Sequence, residues 1–314
     1  MQYRRLGDAG MKVSAIALGG WINFGEGKVA EDKARRIVTT AYEQGINFFD
    51  LADSYGKGGA ERQMGRFLKQ FPRHTLVIST KLFWPMSEDV NDRGLSRKHI
   101  MESIDRSLQR LDTDYVDIYF CHRPDPETPI LETARAMDDL IHQGKVLYWG
   151  TSEWTAGQIS EAVDLCRRHG LYEPKAEQPQ YSMLWRERVE NELLPVTQPR
   201  GIGLVVWSPL AMGMLTGKYD EGIGDDTRFG REPWARERFL NEDNAEKVRR
   251  LKPIADELGI SRAQLALAWV LRQPGVSSAI TGATRPSQVE DNARAADVEL
   301  SDDVVAEIEA ILAQ

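Results

Sequence analysis

Four residues carry most of the chemistry this sequence can offer. Asp50 and Tyr55 lie in Phe49-Asp50-Leu51-Ala52-Asp53-Ser54-Tyr55-Gly56. Lys81 closes Val77-Ile78-Ser79-Thr80-Lys81, and His122 closes Tyr119-Phe120-Cys121-His122. Singly, each has a plain structural reading: a helix-capping acid, a loop tyrosine, a solvated lysine, a satisfied histidine. Asp53 is the better capping candidate of the two acids, which leaves Asp50 without an obvious structural task. Together the four make a proton-donating site. A free phenol has a pKa of about 10, too high for easy donation at neutral pH. A neighbouring ammonium favours the phenolate and should lower that value. A buried ammonium in turn needs a carboxylate, and an imidazole can hold a carbonyl oxygen in line with the phenol. Such a site suits a carbonyl that is receiving a hydride, and the proton transfer is worth roughly 10²–10⁴-fold.

No side chain donates hydride, so a nicotinamide or flavin cofactor is implied. Gly25-Glu26-Gly27-Lys28-Val29-Ala30 matches a dinucleotide fingerprint with Asp50 downstream, but Trp21-Ile22-Asn23-Phe24 separates it from the preceding strand. The tight strand–turn–helix context is therefore missing. A better phosphate site is Ile280-Thr281-Gly282-Ala283-Thr284-Arg285, which runs from a strand toward a helix N-terminus. Backbone N–H groups there bind anions, and Thr284 and Arg285 could take the 2′-phosphate of NADPH. No H-E-x-x-H and no cysteine cluster points to a metal, and His74, His99, His142 and His169 are scattered. Trp21, Phe83, Trp84 and Trp154 follow strand ends and could line an apolar substrate pocket.

The elements that would position these residues alternate along the chain. Short apolar runs at Ala15–Leu18, Ile46–Phe49, Leu76–Ser79, Val116–Phe120, Val146–Trp149, Ala176–Glu177, Leu204–Trp207 and Ser278–Thr281 read as strands. Helical stretches Glu31–Gln44, Arg62–Lys69, Ser96–Leu111, Ile130–Gln143, Ala156–His169 and Ser287–Ala296 lie between or after them, with Ser96 as an N-cap and Gly45, Gly144 and Gly170 as stops. Most strand starts are about 30 residues apart, the size of one βαβ unit. The pattern predicts an α/β fold, a (β/α)8 TIM barrel spanning 1–314 as one domain. Two extra helices, Ala245–Leu258 and Ser301–Leu312, and a long loop over Ser208–Asn244 depart from the repeat. In such a barrel, chemistry sits at the C-terminal strand ends. Those ends are Asp50, Lys81, His122, Ser152, Gln178 and Trp207.

Composition sets the bounds. The 314 residues are 41% hydrophobic and 28% charged, with net charge −8. The acidic balance argues against a nucleic-acid or anionic-membrane surface. Cys121 and Cys166 make neither a disulfide framework nor a zinc site, which fits a reducing, cytoplasmic setting. The N-terminal residues lack the apolar core of a signal peptide, and no apolar run is long enough to span a bilayer.

The chain resembles the aldo-keto reductase superfamily over nearly its whole length. Gly45-Ile46-Asn47-Phe48-Phe49-Asp50-Leu51-Ala52-Asp53-Ser54-Tyr55-Gly56 looks like the family's first signature, with Leu51 where Thr is usual, and Ser79-Thr80-Lys81 matches its lysine motif. Arg93-Gly94-Leu95-Ser96-Arg97-Lys98-His99-Ile100, Arg123-Pro124-Asp125-Pro126, Tyr148-Trp149-Gly150-Thr151-Ser152 and Trp207-Ser208-Pro209-Leu210-Ala211 are most similar to the voltage-gated potassium channel β-subunit branch and its bacterial relatives. Those channel subunits carry Asn at the position of His122, whereas active enzymes of the family carry His.

The resemblance implies carbonyl reduction with NADPH/NADP+ as cofactor, NADH being less favoured, and no metal. It implies Asp50, Tyr55, Lys81 and His122 as catalytic residues. Trp21 and Asp50 would lie near the nicotinamide, and Ser152 and Gln178 would hold its carboxamide, with Tyr181 nearby. Trp207, Ser208, Pro209, Leu210, Gly213, Lys218 and Arg228 would run along the pyrophosphate. Gly282, Thr284, Arg285, Gln288, Asp291 and Asn292 would hold the 2′-phosphate end. Trp21, Tyr55, Phe83, Trp84, His122 and Trp154 would line the pocket of a small carbonyl substrate. A homo-oligomer remains open. The rival function is a redox-sensing NADPH-binding regulatory subunit. A hydrolase with paired carboxylates fits poorly, because Asp50 and Asp53 are too close in sequence and Tyr55 and Lys81 would go unexplained.

Overall fold

The computed structural model describes residues 1–25, 29–225 and 227–313. Eight strands close into a parallel barrel: β3 (Ile16–Gly19), β4 (Phe48–Asp50), β5 (Val77–Leu82), β6 (Val116–Cys121), β7 (Val146–Ser152), β8 (Ala176–Gln178), β9 (Gly203–Trp207) and β10 (Val276–Thr281). β10 pairs with β3 to complete the ring. The expected barrel is thus formed, and each expected strand lies within or overlaps an observed one.

The strands are buried on both faces because each inward residue meets the barrel interior and each outward one meets a helix. Ala17, Phe48, Val77, Ile118, Phe120, Ala176, Val205 and Ile280 fill the interior, together with Leu6 and Val13. These last two belong to a hairpin not apparent in the sequence, β1 (Tyr3–Arg5) and β2 (Lys12–Ser14). The hairpin plugs the N-terminal floor of the barrel. The Arg4 guanidinium donates to the carbonyls of Leu271 and Val276 at 2.7 and 3.1 Å. Gly7 turns the hairpin at φ +57°, where a Cβ would lie 2.0 Å from the Gly201 carbonyl oxygen. With the floor sealed, the C-terminal mouth is the open end.

The helices start and stop where local chemistry dictates. Ser96 caps Arg97–Leu111 by accepting from the His99 N–H at 3.3 Å. Thr155 and Gln158 form a reciprocal capping box on Ala156–His169, and Gly170 ends that helix at φ +66°. One helix was not expected, and two expectations need correction. Arg262–Leu271, capped by Ser261 and Gln264, is the helix of the seventh unit. Its run Ala-Gln-Leu-Ala-Leu-Ala-Trp-Val-Leu is apolar on nearly every side, because barrel and outer helices bury it from both directions, so it lacks an amphipathic signature. The extra helix expected over Ala245–Leu258 divides at Leu251, ahead of Pro253, into Glu242–Arg250 and Lys252–Glu257. Finally, the stretch after Trp207 is not a plain loop: a kinked turn over Ala211–Thr216 is followed by the short helices Arg228–Arg231 and Pro233–Phe239. Part of the Gly25–Ala30 motif, Glu26 to Lys28, lies outside the described residues.

Candidate active site

Strand alternation brings Asp50, Ser79, Lys81, Ser152 and Gln178 to the inner rim of the mouth. Lys81 is fully buried, and its Nζ donates to Asp50 Oδ2 at 2.6 Å, to the Leu51 carbonyl at 2.7 Å and to Tyr55 Oη at 3.3 Å. The other Asp50 oxygen accepts from Ser79 Oγ at 2.7 Å and Gln178 Nε2 at 3.0 Å. Both carboxylate oxygens are therefore engaged, which is what a buried ion pair needs to be tolerated. Burial still pushes the Lys81 pKa below its ordinary value, against the pull of Asp50.

Tyr55 departs from expectation. Burial, then the Asp50 charge, hold its phenol well above the usual value, and Arg123 only partly opposes them. The Asp50 carboxylate that pairs with Lys81 also faces the phenol, and its negative charge opposes a phenolate there. Tyr55 is thus a neutral donor in the resting site. The Tyr55 and His122 rings stand 5.8 Å apart at 78°. Burial, then Lys81 and Arg123, push the His122 pKa well below 6.5, so its imidazole is neutral. His122 Nδ1 is buried without a hydrogen-bond partner.

Aromatic side chains wall the mouth above this cluster. Trp21 lies 6.4 Å from Tyr55, 6.4 Å from Trp207 and 5.8 Å from Trp234. Trp84 lies 6.2 Å from His122 and 5.2 Å from Phe83. Trp21, Trp84 and Trp234 are 37, 41 and 40% exposed, available to a flat apolar group. Trp154 is the exception among the expected pocket residues. At 1% exposure it is packed in the core and offers no surface to a substrate.

Along the rim toward the expected phosphate end, Ser152 Oγ donates to the Gln178 carbonyl at 2.9 Å. The segment after Trp207 has left-handed backbone at Ser208, Ala211 and Met212. Ser208 Oγ and Arg228 Nη1 both meet Met212 Sδ, at 3.5 and 3.4 Å. Pro209 and Leu210 complete that turn, and Leu210 packs on the core. Gly213 has φ +94°, and a Cβ there would lie 2.6 Å from Lys218 Nζ. Burial, then Arg228 and Arg285, push the Lys218 pKa down to about 8. Three cations thus converge, an arrangement that fits phosphate groups. Past β10, the helix Pro286–Arg294 has no side-chain cap on its N-terminus. Gln288 Oε1 accepts from the Thr284 N–H at 2.8 Å and from its hydroxyl at 3.2 Å. Gly282 sits where a Cβ would meet Asn23 Nδ2 at 3.0 Å, and Asn292 is buried. The Asp291 carboxylate already accepts from Ser261 Oγ and Gln264 Nε2, both at 2.9 Å, so it braces the cap of Arg262–Leu271. Groups suited to phosphate thus lie at Lys218, Arg228, Arg285 and the uncapped start of Pro286–Arg294.

Asp53 caps no helix, contrary to expectation. It is buried behind the barrel, accepts from Ser103 Oγ at 3.1 Å, and has a pKa pushed up to about 7 by burial and by Glu61. Gly58, not an acid, precedes Gly59–Leu68. Sequence reasoning also missed Ser79, Trp234 and Glu153. The two-residue period would have placed Ser79 beside Lys81. Glu153 carried no signal beyond following Ser152.

The Aldo/keto reductase family model matches residues 15–313. A probable voltage-gated potassium channel subunit beta of Arabidopsis thaliana is 50% identical over 303 residues, covering 95% of this chain and 92% of the relative. A protein of the same name in Oryza sativa subsp. japonica is 47% identical over 319 aligned positions, covering 99% of this chain and 97% of the relative. With the closed barrel and the cluster at its mouth, these matches establish that the chain belongs to the aldo/keto reductase family.

Proposed function

We propose that this chain is an NADPH-dependent reductase of small aldehydes or ketones, with Asp50, Tyr55, Lys81 and His122 as its catalytic residues. The observation that carries the reading is the chain of contacts from Asp50 through Lys81 to the Tyr55 hydroxyl, with a neutral His122 facing it. The reduced nicotinamide, when bound, supplies the hydride to the carbonyl carbon. His122, carrying one N–H as a neutral imidazole, orients and polarises the carbonyl oxygen. Tyr55 Oη holds the proton that this oxygen takes as its negative charge develops. The phenolate left behind would gain from the Lys81 ammonium at 3.3 Å, whose geometry Asp50 fixes. Trp21, Trp84 and Phe83 exclude water and seat the apolar part of the substrate.

Lys218, Arg228 and Arg285 support the phosphorylated cofactor over NADH, because they give more cationic charge than a pyrophosphate alone requires. Tyr55→Phe should lose roughly 10²–10⁴-fold in aldehyde reduction while keeping its NADPH affinity. NADPH absorbance with a good aldehyde, run beside NADH, measures both. Retained turnover would remove Tyr55 as the acid.

A second reading is a nucleotide-binding accessory subunit of a membrane channel, favoured by the names of the two plant relatives. Among the described residues no helix is long and apolar enough to cross a membrane. Turnover with a panel of small aldehydes separates the two readings.

A further inference from the structure

Glu153 sits one residue past the end of β7, in left-handed backbone at φ +60°. That conformation is unfavourable for a non-glycine residue and persists only where the surroundings hold it. Its carboxylate makes three bonds. Oε1 accepts from the Trp207 indole Nε1 at 2.9 Å and from the Gln180 N–H at 2.7 Å. Oε2 accepts from Arg188 Nη1 at 2.6 Å, and Arg188 Nη2 donates on to the Trp154 carbonyl at 2.8 Å. Trp207 is held at its backbone too, its N–H donating to the Pro179 carbonyl and its own carbonyl accepting from Tyr181. Directly after it the chain turns left-handed at Ser208. Two unusual backbone positions, at the ends of β7 and β9, are thus joined across β8 by one carboxylate–indole bond.

We infer that Glu153 is a positioning residue for the nicotinamide end of the cofactor, fixing the plane of the Trp207 ring that forms one wall of the mouth. The inference rests on the cofactor reading above. Trp207 stands edge-on to Trp21 at 6.4 Å, and Trp21 lies 6.4 Å from Tyr55, so the Trp207 ring sits toward the reacting end of the mouth, whereas the resemblance runs it along the pyrophosphate. A rotation of the Trp207 ring would therefore alter the space next to the proton donor. Without the carboxylate the indole N–H loses its acceptor and the ring its fixed orientation. Lys218, Arg228 and Arg285 come later in the chain than Trp207, and the Glu153 carboxylate bonds Trp207, Gln180 and Arg188 instead, so the loss should fall mainly at the nicotinamide end.

The test uses two nucleotides and a double-mutant cycle. Glu153→Gly suits the backbone conformation and removes the carboxylate. Glu153→Gln keeps an acceptor oxygen and serves as the folding control. Trp207→Phe removes the indole N–H. Affinity is measured for NADPH and for 2′-phospho-ADP-ribose, which lacks the nicotinamide. Glu153→Gly should weaken NADPH binding roughly tenfold, as expected for one charge-assisted bond. It should leave 2′-phospho-ADP-ribose within about twofold, and in the Trp207→Phe background it should add little further loss. Glu153→Gln should fall between wild type and Glu153→Gly. Equal losses for both nucleotides, no loss for either, or a full additional loss in the Trp207→Phe background would overturn the role. Failure of the wild-type protein to bind either nucleotide would instead remove the cofactor reading, and this inference with it.

Discussion

Lys81 and Thr80 are neighbours on β5, yet they join two differently built clusters of buried charge. Lys81 points into the barrel, where it and Asp50 use every oxygen and the ammonium has three acceptors. Thr80 points outward to the helices, where its hydroxyl donates to Glu61 Oε1 at 2.5 Å and Arg110 Nε donates to Glu61 Oε2 at 2.5 Å. Beside this pair the outer cluster is incomplete: Asp53 Oδ1 and Tyr119 Oη are buried without partners. The inner cluster fixes a geometry, as chemistry requires. The outer one ties helices to the barrel and leaves one carboxylate dependent on a proton. Fold and the proposed function thus use alternate residues of the same strand.

The largest effect expected from this contrast is at Lys81. Lys81→Met strands the Asp50 carboxylate, and breaking a buried pair in this way costs about 3–5 kcal/mol. It also removes the charge that stabilises a Tyr55 phenolate, so reduction should fall by at least about 10²-fold. Denaturant midpoints and NADPH-coupled turnover give the two numbers. Glu61→Gln should lower stability by about 1–3 kcal/mol, since it weakens the bond to a largely buried Arg110. Its turnover per folded molecule should stay close to wild type. A Glu61→Gln protein that folds as well as wild type but turns over poorly would break the contrast.

Asp53 gives a smaller effect with a defined pH window. Its pKa is raised to about 7 in the folded chain, against about 3.9 when unfolded. The folded state binds the extra proton between those values, so stability falls as pH rises from about 4 to about 7. Glu177, buried and raised to about 8, acts in the same direction. Asp53→Asn should therefore be more stable than wild type at pH 8, by about 1–3 kcal/mol, and nearly equal to it near pH 4. Thermal melts across that range measure the difference. A gap that grows toward low pH would have the wrong sign and would place a cation at Asp53.

What could be read in advance follows the same division. The barrel was legible because apolar runs alternating with helical stretches leave few other arrangements. The inner cluster was legible because Asp50, Lys81 and His122 are polar residues closing apolar strands. The outer cluster was not, since Glu61, Ser103 and Arg110 lie on helix faces where polar residues normally meet water. The same limit hid Arg262–Leu271, whose uniform apolarity erases helical period, and the β1–β2 hairpin, whose short strands are too brief to show one. The Tyr55 pKa runs opposite to the expected lowering for a related reason: sequence places a cation nearby but does not reveal the burial of the phenol or the Asp50 charge facing it.

Lys218 extends the comparison to a buried charge whose partner is proposed to be the ligand. Burial and the neighbouring Arg228 and Arg285 lower its pKa to about 8. A bound phosphate would reverse that, raising the pKa and holding the proton. Affinity for NADPH should then be greatest below pH 8 and weaken as pH rises, approaching at most about tenfold per pH unit for one linked proton. The 2′-phosphate, with a second pKa of about 6, is already fully charged in that range and adds no competing slope. Lys218→Met should bind more weakly at pH 7 and lose most of the pH dependence. Fluorescence titrations of NADPH at pH 7 and pH 9 compare the two proteins. An equal slope in both would mean that Lys218 does not meet the phosphates, and that the cations of this loop are kept apart from the cofactor rather than completed by it.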